Sequence, residues 1–178
     1  MKNNIFLDKK KWKEKQFNGF KIIYKSFDFK KNYSLLTKVL SSNNNFKGLS
    51  KFVSSLEGNF ALILKKDKNI FAATDKIRSF PLLYYFDGNK FFIFDNWKSI
   101  KSLSFKKIIN KKQVLFFALS GYTFGEEVLY KNIKQINPGT TISFFKNKIE
   151  KVNYYSSVNS KKVKIIELEK KLVNINEK

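Results

Sequence analysis

A layered α+β domain, in which antiparallel strands carry helices, is the fold this sequence predicts. Residues 59–64 are apolar on both alternating faces, with Phe60, Leu62 and Leu64 on one and Ala61 and Ile63 on the other, as in a strand covered on two sides. Two segments of helical spacing precede that strand, and hairpin signals follow it at short intervals. The chain has 178 residues, 43% of them hydrophobic, including 20 Phe and 8 Tyr, which is enough for one substantial core.

Residues 17–24 (Phe17-Asn18-Gly19-Phe20-Lys21-Ile22-Ile23-Tyr24) are rich in aromatic and β-branched side chains and predict a short strand. Between Tyr33 and Leu40, apolar Leu35, Leu36, Val39 and Leu40 recur at helical spacing. Past the Asn43-Asn44-Asn45 break, Phe46, Leu49, Phe52, Val53 and Leu56 line one side of a second helix. The strand opening at Asn59 turns at Lys66-Asp67-Lys68 into a partner strand from Asn69 to Thr74. Leu82 to Phe86 and Lys90 to Phe94 form another hairpin across Asp87-Gly88-Asn89, so the centre of the chain reads as an antiparallel meander. Beyond Trp97 short helical pieces are expected, the clearest from Lys111 to Leu119 with Ser120-Gly121 as its stop. Pro138-Gly139 turns the chain into a last hairpin, Thr140 to Phe145 and Ile149 to Tyr155, closed at Lys146-Asn147-Lys148. Residues 163–176 have helical spacing, with Ile165, Leu168 and Leu172 aligned and Glu167 four residues before Lys171.

The formal net charge of +22 raises a polyanion partner, since clustered cations displace the counterions of nucleic acid. Of the 36 basic residues, however, Arg78 is the single arginine, whereas readers of bases and phosphates favour the planar, bidentate guanidinium. Lysine is accompanied by abundant Asn, Ile and Phe, the signature of an AT-rich coding sequence, which accounts for the charge without a ligand. The densest run, Lys9, Lys10, Lys11, Lys13 and Lys15 around Trp12, is the ordinary pattern of a solvated face. A lysine-rich module for nucleic acid or anionic surfaces is the alternative reading, and nucleic acid is not the favoured partner.

The chain contains no Cys and no His, which excludes disulfides, thiolate metal sites and imidazole general bases. Lys2 is followed by no apolar h-region, and no stretch reaches membrane-spanning length. A cytoplasmic, metal-free protein without a membrane partner is the expectation.

Two motifs organise the middle of the chain: Leu56-Glu57-Gly58-Asn59-Phe60-Ala61-Leu62, and Asp75-Lys76-Ile77-Arg78-Ser79-Phe80-Pro81-Leu82-Leu83-Tyr84-Tyr85. Their order and spacing resemble the N-terminal class II glutamine amidotransferase domain of the asparagine synthetase family. There a leucine, a glycine and a Phe-Ala pair open a core strand, and an aspartate begins a loop that ends in Pro-Leu. Downstream, Phe94-Asp95-Asn96, Gly121-Tyr122-Thr123-Phe124-Gly125 with Leu129-Tyr130 and Ile133, Ile136-Asn137-Pro138-Gly139-Thr140, and Val152-Asn153-Tyr154-Tyr155 resemble further family segments in the same order. The resemblance runs over roughly residues 56–155 and is carried by the combination rather than by any one piece.

What it implies is an αββα sandwich of antiparallel sheets of the N-terminal nucleophile type, shortened at its start, over residues 1–157. Residues 158–178 would be a linker and a helix resembling the start of a synthetase domain. The family's reaction hydrolyses glutamine and passes ammonia to an ATP-activated carboxylate. Its nucleophile is a cysteine at the mature N-terminus with its own α-amino group as base. Here Met1 is followed by Lys2 and the first Ser or Thr is Ser26. No catalytic residue is therefore assigned, and the domain is expected to be structural or regulatory, a pseudoenzyme.

Asn18-Gly19 either echoes the family's substrate-gripping Asn-Gly or is an ordinary turn. Asp95 either echoes a ligand of the substrate amine or is a strand-end carboxylate paired with a lysine. Gly58, Asp75, Arg78, Pro81, Pro138 and Gly139 are read as structural, with Asp75 and Arg78 as a local ion pair and Pro81 fixing the loop exit. Arg78 and Phe80 replace a Gly and a basic residue of typical members, and Arg78-Ser79 resembles divergent relatives associated with surface polysaccharide synthesis. The 7 glycines form no pyrophosphate-cradling loop, so ATP and Mg2+ are expected only in a partner synthetase domain or subunit. Self-association into a homo-oligomer stays open.

Overall fold

Because residues 60–64 are apolar on both faces, the strand that they open lies between the two layers of the core. The computed structural model describes residues 5–26, 30–42, 46, 48–88, 90–101 and 107–156. Met1 and Lys2, the Asn43–Asn45 break, Asn89, the helix expected at 163–176 and the whole segment 158–178 lie outside these residues.

The elements are β1 (Ile5–Phe6), β2 (Lys13–Phe17), β3 (Phe20–Ser26), α1 (Lys30–Ser42), α2 (Leu49–Ser54), β4 (Phe60–Lys66), β5 (Asn69–Thr74), β6 (Leu83–Phe86), β7 (Phe91–Phe94), a 3-10 turn (Trp97–Ile100), α3 (Lys111–Ser120), β8 (Ile133–Gln135), β9 (Thr140–Phe145) and β10 (Lys148–Asn153). Six strands form one antiparallel sheet in the order β10-β9-β5-β4-β3-β2. The other four form a second sheet, β1-β7-β6-β8, in which only the β1–β7 pair is parallel. The class is α+β with layered antiparallel sheets, as expected.

The alternation along β4 divides two cores. Phe60, Leu62 and Leu64 pack with Leu36 and Leu40 of α1 and Leu49 and Val53 of α2, while Ala61 and Ile63 face the second sheet with Tyr84, Phe91 and Ile93. Between the sheets the rings of Phe91 and Phe144 stack with centroids 4.3 Å apart. A third cluster covers the outer face of the second sheet, joining Tyr85, Phe92 and Phe94 to Ile100, Val128 and Ile133.

Three expectations are corrected. Residues 17–24 are not one strand: Asn18 and Gly19 have φ of 49° and 75° and make the two-residue turn of the β2–β3 hairpin, with Phe17 opposite Phe20. The central meander splits after Thr74, since β4 and β5 lie in the first sheet and β6 and β7 in the second. The Lys146-Asn147-Lys148 turn consists of Lys146 and Asn147, at φ of 47° and 57°, and Lys148 already belongs to β10. Trp12 of the lysine-rich run is 8% exposed, packed in the inter-sheet core, and so presents no ring for base stacking.

Candidate functional site

Asp75, 1% exposed at the end of β5, holds the central motifs together. Its carboxylate accepts from the backbone N–H of Phe60 at 2.9 Å, of Ile77 at 2.9 Å and of Ser79 at 3.1 Å. Its own backbone N–H donates to the Phe60 carbonyl at 3.0 Å. The Asp75 carbonyl accepts from the backbone N–H of Arg78 at 3.2 Å and of Gly139 at 2.8 Å. A short acceptor with two oxygens on a strand end suits this work, because the loop it closes cannot use the ladder. The Asp75–Arg78 ion pair expected from the sequence is absent: peptide dipoles compensate the carboxylate.

Gly139 draws in the chain's second half. The N–H groups of Tyr154 and Tyr155 donate to its carbonyl at 2.8 and 3.2 Å, the Tyr154 hydroxyl donates to the Thr74 carbonyl at 2.5 Å, and the Thr74 hydroxyl donates to the Asn137 carbonyl at 2.7 Å. Burial, reinforced by the Asp75 charge, holds the Tyr154 hydroxyl well above the ordinary phenol range. Exposed Pro138 leads into this junction, and Pro81 leads out of the Asp75 loop toward β6. Gly58 has φ of 78° just before β4, in open space, so its role is the turn itself.

Where these segments meet lies a polar cavity of about 400 Å³, lined by Lys76, Arg78, Gln135, Asn137, Asn153 and Tyr155 among others. Sequence reading quoted Asn137 and Asn153 inside motifs and left Gln135 aside. Only the sheet topology brings the ends of β8 and β10 to the Asp75 loop.

The other site candidates are not joined to this cavity. Asn18 donates from its side-chain amide to the Leu40 carbonyl at 3.0 Å, fastening the hairpin turn to α1. Asp95 accepts from the Trp12 indole N–H at 2.9 Å, the Asp8 N–H at 3.2 Å, the Asn96 amide at 2.6 Å and the Ser99 hydroxyl at 3.0 Å, and pairs with no lysine among the described residues. Trp12 precedes β2 and Asn18 follows it, so at about 3.3 Å per residue the two anchor points are roughly 20 Å apart. Asn18-Gly19 and Asp95 are thus anchored near opposite ends of β2.

A profile of the family described as "Glutamine amidotransferase domain" matches residues 30–155. The chain belongs to that family. Among its relatives is the "Putative asparagine synthetase (glutamine-hydrolyzing) 2" of Methanocaldococcus jannaschii, 34% identical over 100 residues, which are 54% of this chain and 19% of that protein. The chain thus spans about a fifth of the length of this relative. Solved structures similar to it include the glutamine phosphoribosylpyrophosphate amidotransferase of B. subtilis complexed with ADP and GMP (TM-score 0.43, 13% identity, 83% of this chain and 32% of that one). A second is described as the allosteric regulatory enzyme of purine biosynthesis (TM-score 0.42, 13% identity, 83% and 31%). Within the amidotransferase domain the position of Arg78 now has a conformational meaning. Its φ is 56°, a left-handed conformation that suits the glycine of typical members.

Glu126 is a functional-looking group that sequence reading missed. It bonds both Lys134 and Lys151, tying β8 to β10 across the two sheets. Burial by itself would raise its carboxyl, but the hydrogen bonds from the two lysines outweigh that and hold it below the usual carboxylate range. A carboxyl depressed in the folded state stabilises fully above its unfolded pKa, near 4.3, and loses that contribution as pH falls through the folded value. Glu126→Gln is expected to flatten the fall in melting temperature below about pH 4 and to leave the neutral-pH shape of the curve intact. Parallel acid limbs for variant and parent would refute the assignment.

Proposed function

We propose that this chain is a degenerate amidotransferase domain of an asparagine synthetase-related protein, retaining the scaffold and lacking glutamine hydrolysis. The observation that carries the reading is the absence of cysteine from all 178 residues of a domain whose family attacks glutamine with a thiolate. Ser26 is a poor replacement. It pairs with Phe60 inside the β3–β4 ladder, and its buried hydroxyl has no hydrogen-bond partner that could act as base. The anchoring of Asn18-Gly19 and Asp95 near opposite ends of β2 favours the same reading.

In this reading the domain is structural or regulatory, packing against a synthetase domain to which residues 158–178 lead. That partner binds ATP and Mg2+, activates a carboxylate and takes ammonia from solution or another protein. Among the described residues no three or more Asp, Glu, His or Cys side chains gather, and each glycine sits in its own positive-φ turn rather than in a shared phosphate loop, which favours placing those cofactors in the partner. The surface available to the partner includes α3, whose Val114, Leu115, Phe117 and Leu119 are exposed. No helix among the described residues is long and apolar enough to cross a membrane.

The test is glutamine turnover by the purified chain, alone and mixed with the synthetase domain of an asparagine synthetase-related protein. Glutamate is expected to stay at the uncatalysed background in both, while ammonia-dependent amide formation by the synthetase domain changes when this chain is added. Glutamate release proportional to protein concentration would overturn the proposal.

A further inference from the structure

We propose that the cavity between the Asp75 loop, the Pro138-Gly139 turn and the end of β10 is an oxyanion-binding site, with the Arg78 guanidinium as its anchor. Four observations converge on it. Arg78 is the single arginine against 35 lysines, so in a chain otherwise committed to lysine the planar, two-pronged cation stands at one place only. That residue has φ of 56°, a left-handed conformation that favours Gly, Asn and Asp over a long side chain, so a guanidinium is held where the backbone disfavours it.

The side chain is also half-buried and makes no hydrogen bond or ion pair with any described residue, although partly dehydrated arginine normally takes a carboxylate. Burial alone accounts for the lowering of its pKa, with no anionic group offsetting the loss of water. Finally, the cavity it lines, about 400 Å³, is predominantly polar, and among the described residues none that lines it is acidic. Lys76 adds a second cation, and the amide side chains of Asn137, Asn153 and Gln135 line it, that of Gln135 already donating one hydrogen bond to the Gly125 carbonyl at 2.5 Å. Two cations and several amides around a cavity without a carboxylate are complementary to a ligand bearing a carboxylate or phosphate group.

The walls are fixed by contacts already described. Asp75 holds the loop that carries Arg78, Gly139 binds that loop to Tyr154 and Tyr155, and the Lys76 ammonium lies 5.4 Å from the centre of the Tyr155 ring. The ligand would therefore meet a preformed cradle. This site is separate from Asn18-Gly19 and Asp95, and it stands whether or not the chain turns over glutamine.

The single arginine makes the test direct, because the Nε–H signal of Arg78 is unique in a 15N spectrum of the full chain. Sodium phosphate and sodium malonate are titrated in parallel, each at ionic strength held constant with chloride. A saturable shift of Arg78 Nε–H and of the backbone amides of Gln135 and Asn137 is expected with at least one of them. Phosphate alone would indicate a phosphate-bearing ligand and malonate alone a carboxylate-bearing one. Arg78→Lys should weaken the amide response at least about tenfold, and Arg78→Gly should abolish saturation. Arg78→Gly also relaxes the left-handed backbone, so it should melt within a few degrees of the parent. Lys148→Gln removes the same unit of charge from exposed β10 and should leave the titration unchanged. Failure of both anions to give a saturable shift, or equal losses in Arg78→Gly and Lys148→Gln, would overturn the site.

Discussion

Asp75→Ala is expected to destabilise the domain by about 3–5 kcal/mol, seen as a fall of roughly 6–20 °C in melting temperature. The carboxylate satisfies three backbone N–H groups, those of Phe60, Ile77 and Ser79. Removing it leaves donors in or near the core without acceptors, at about 1–3 kcal/mol for each that water cannot reach. Phe60 is 1% exposed, so its N–H carries the full cost, whereas Ile77 is 72% exposed and its N–H can recover a water partner. Asp75→Asn keeps one acceptor oxygen and turns an amide donor toward the other donors, so it should fall between parent and alanine. Circular-dichroism melts of the three proteins decide the matter. A melt of Asp75→Ala within 2 °C of the parent would refute the role of the carboxylate as the loop's organiser.

Gly139→Ala should cost about 2–4 kcal/mol, part from a methyl group at left-handed φ and part from overpacking. The added Cβ would lie 2.7 Å from the Tyr155 carbonyl oxygen and 2.8 Å from its Cβ, and Gly139 has φ of 60°. Backbone cannot swing aside as a flexible side chain can, so the exit of β10 must shift. Gly58→Ala provides the contrast: its φ is 78° but its Cβ meets nothing within 4 Å, so only the conformational part, about 1 kcal/mol, remains. Protection of the Tyr154 and Tyr155 amides against hydrogen exchange should drop in Gly139→Ala and persist in Gly58→Ala. Equal effects of the two substitutions would remove the close approach as the cause.

Strand β4 was legible because residues 60–64 form a short apolar run without a polar position, the mark of a strand covered on both faces, and it lies between layers as expected. Helix α3 was legible for a different reason, since Gly121 at φ of 76° marks its end. The β2–β3 hairpin was half legible: Asn18-Gly19 read as a possible turn, but β2, Lys13-Glu14-Lys15-Gln16-Phe17, is polar and shows no strand pattern of its own. Strands β1 and β8 have 2 and 3 residues, too short to establish a period.

At the site, the motif residues Asp75, Arg78, Pro138 and Gly139 were visible, but their assembly was not. Asp75 and Gly139 are brought together by the pairing of β5 with β9, a long-range register that local patterns do not encode. The partner of Asp75 was misjudged for a related reason. A neighbouring arginine is evident in a sequence, whereas a ring of backbone N–H groups exists only after the loop has closed.

The lysines acquire a further meaning at the borders of the six-stranded sheet. Its outermost strands, β2 and β10, carry Lys13, Glu14 and Lys15 at one border and Lys148, Glu150 and Lys151 at the other. Unpaired rims of a sheet invite another chain to extend it, and charged side chains there make such an extension repulsive. The lysine-rich composition thus guards an aromatic-rich protein against growing into ribbons at high concentration, and added salt, by screening that repulsion, is what would weaken the guard.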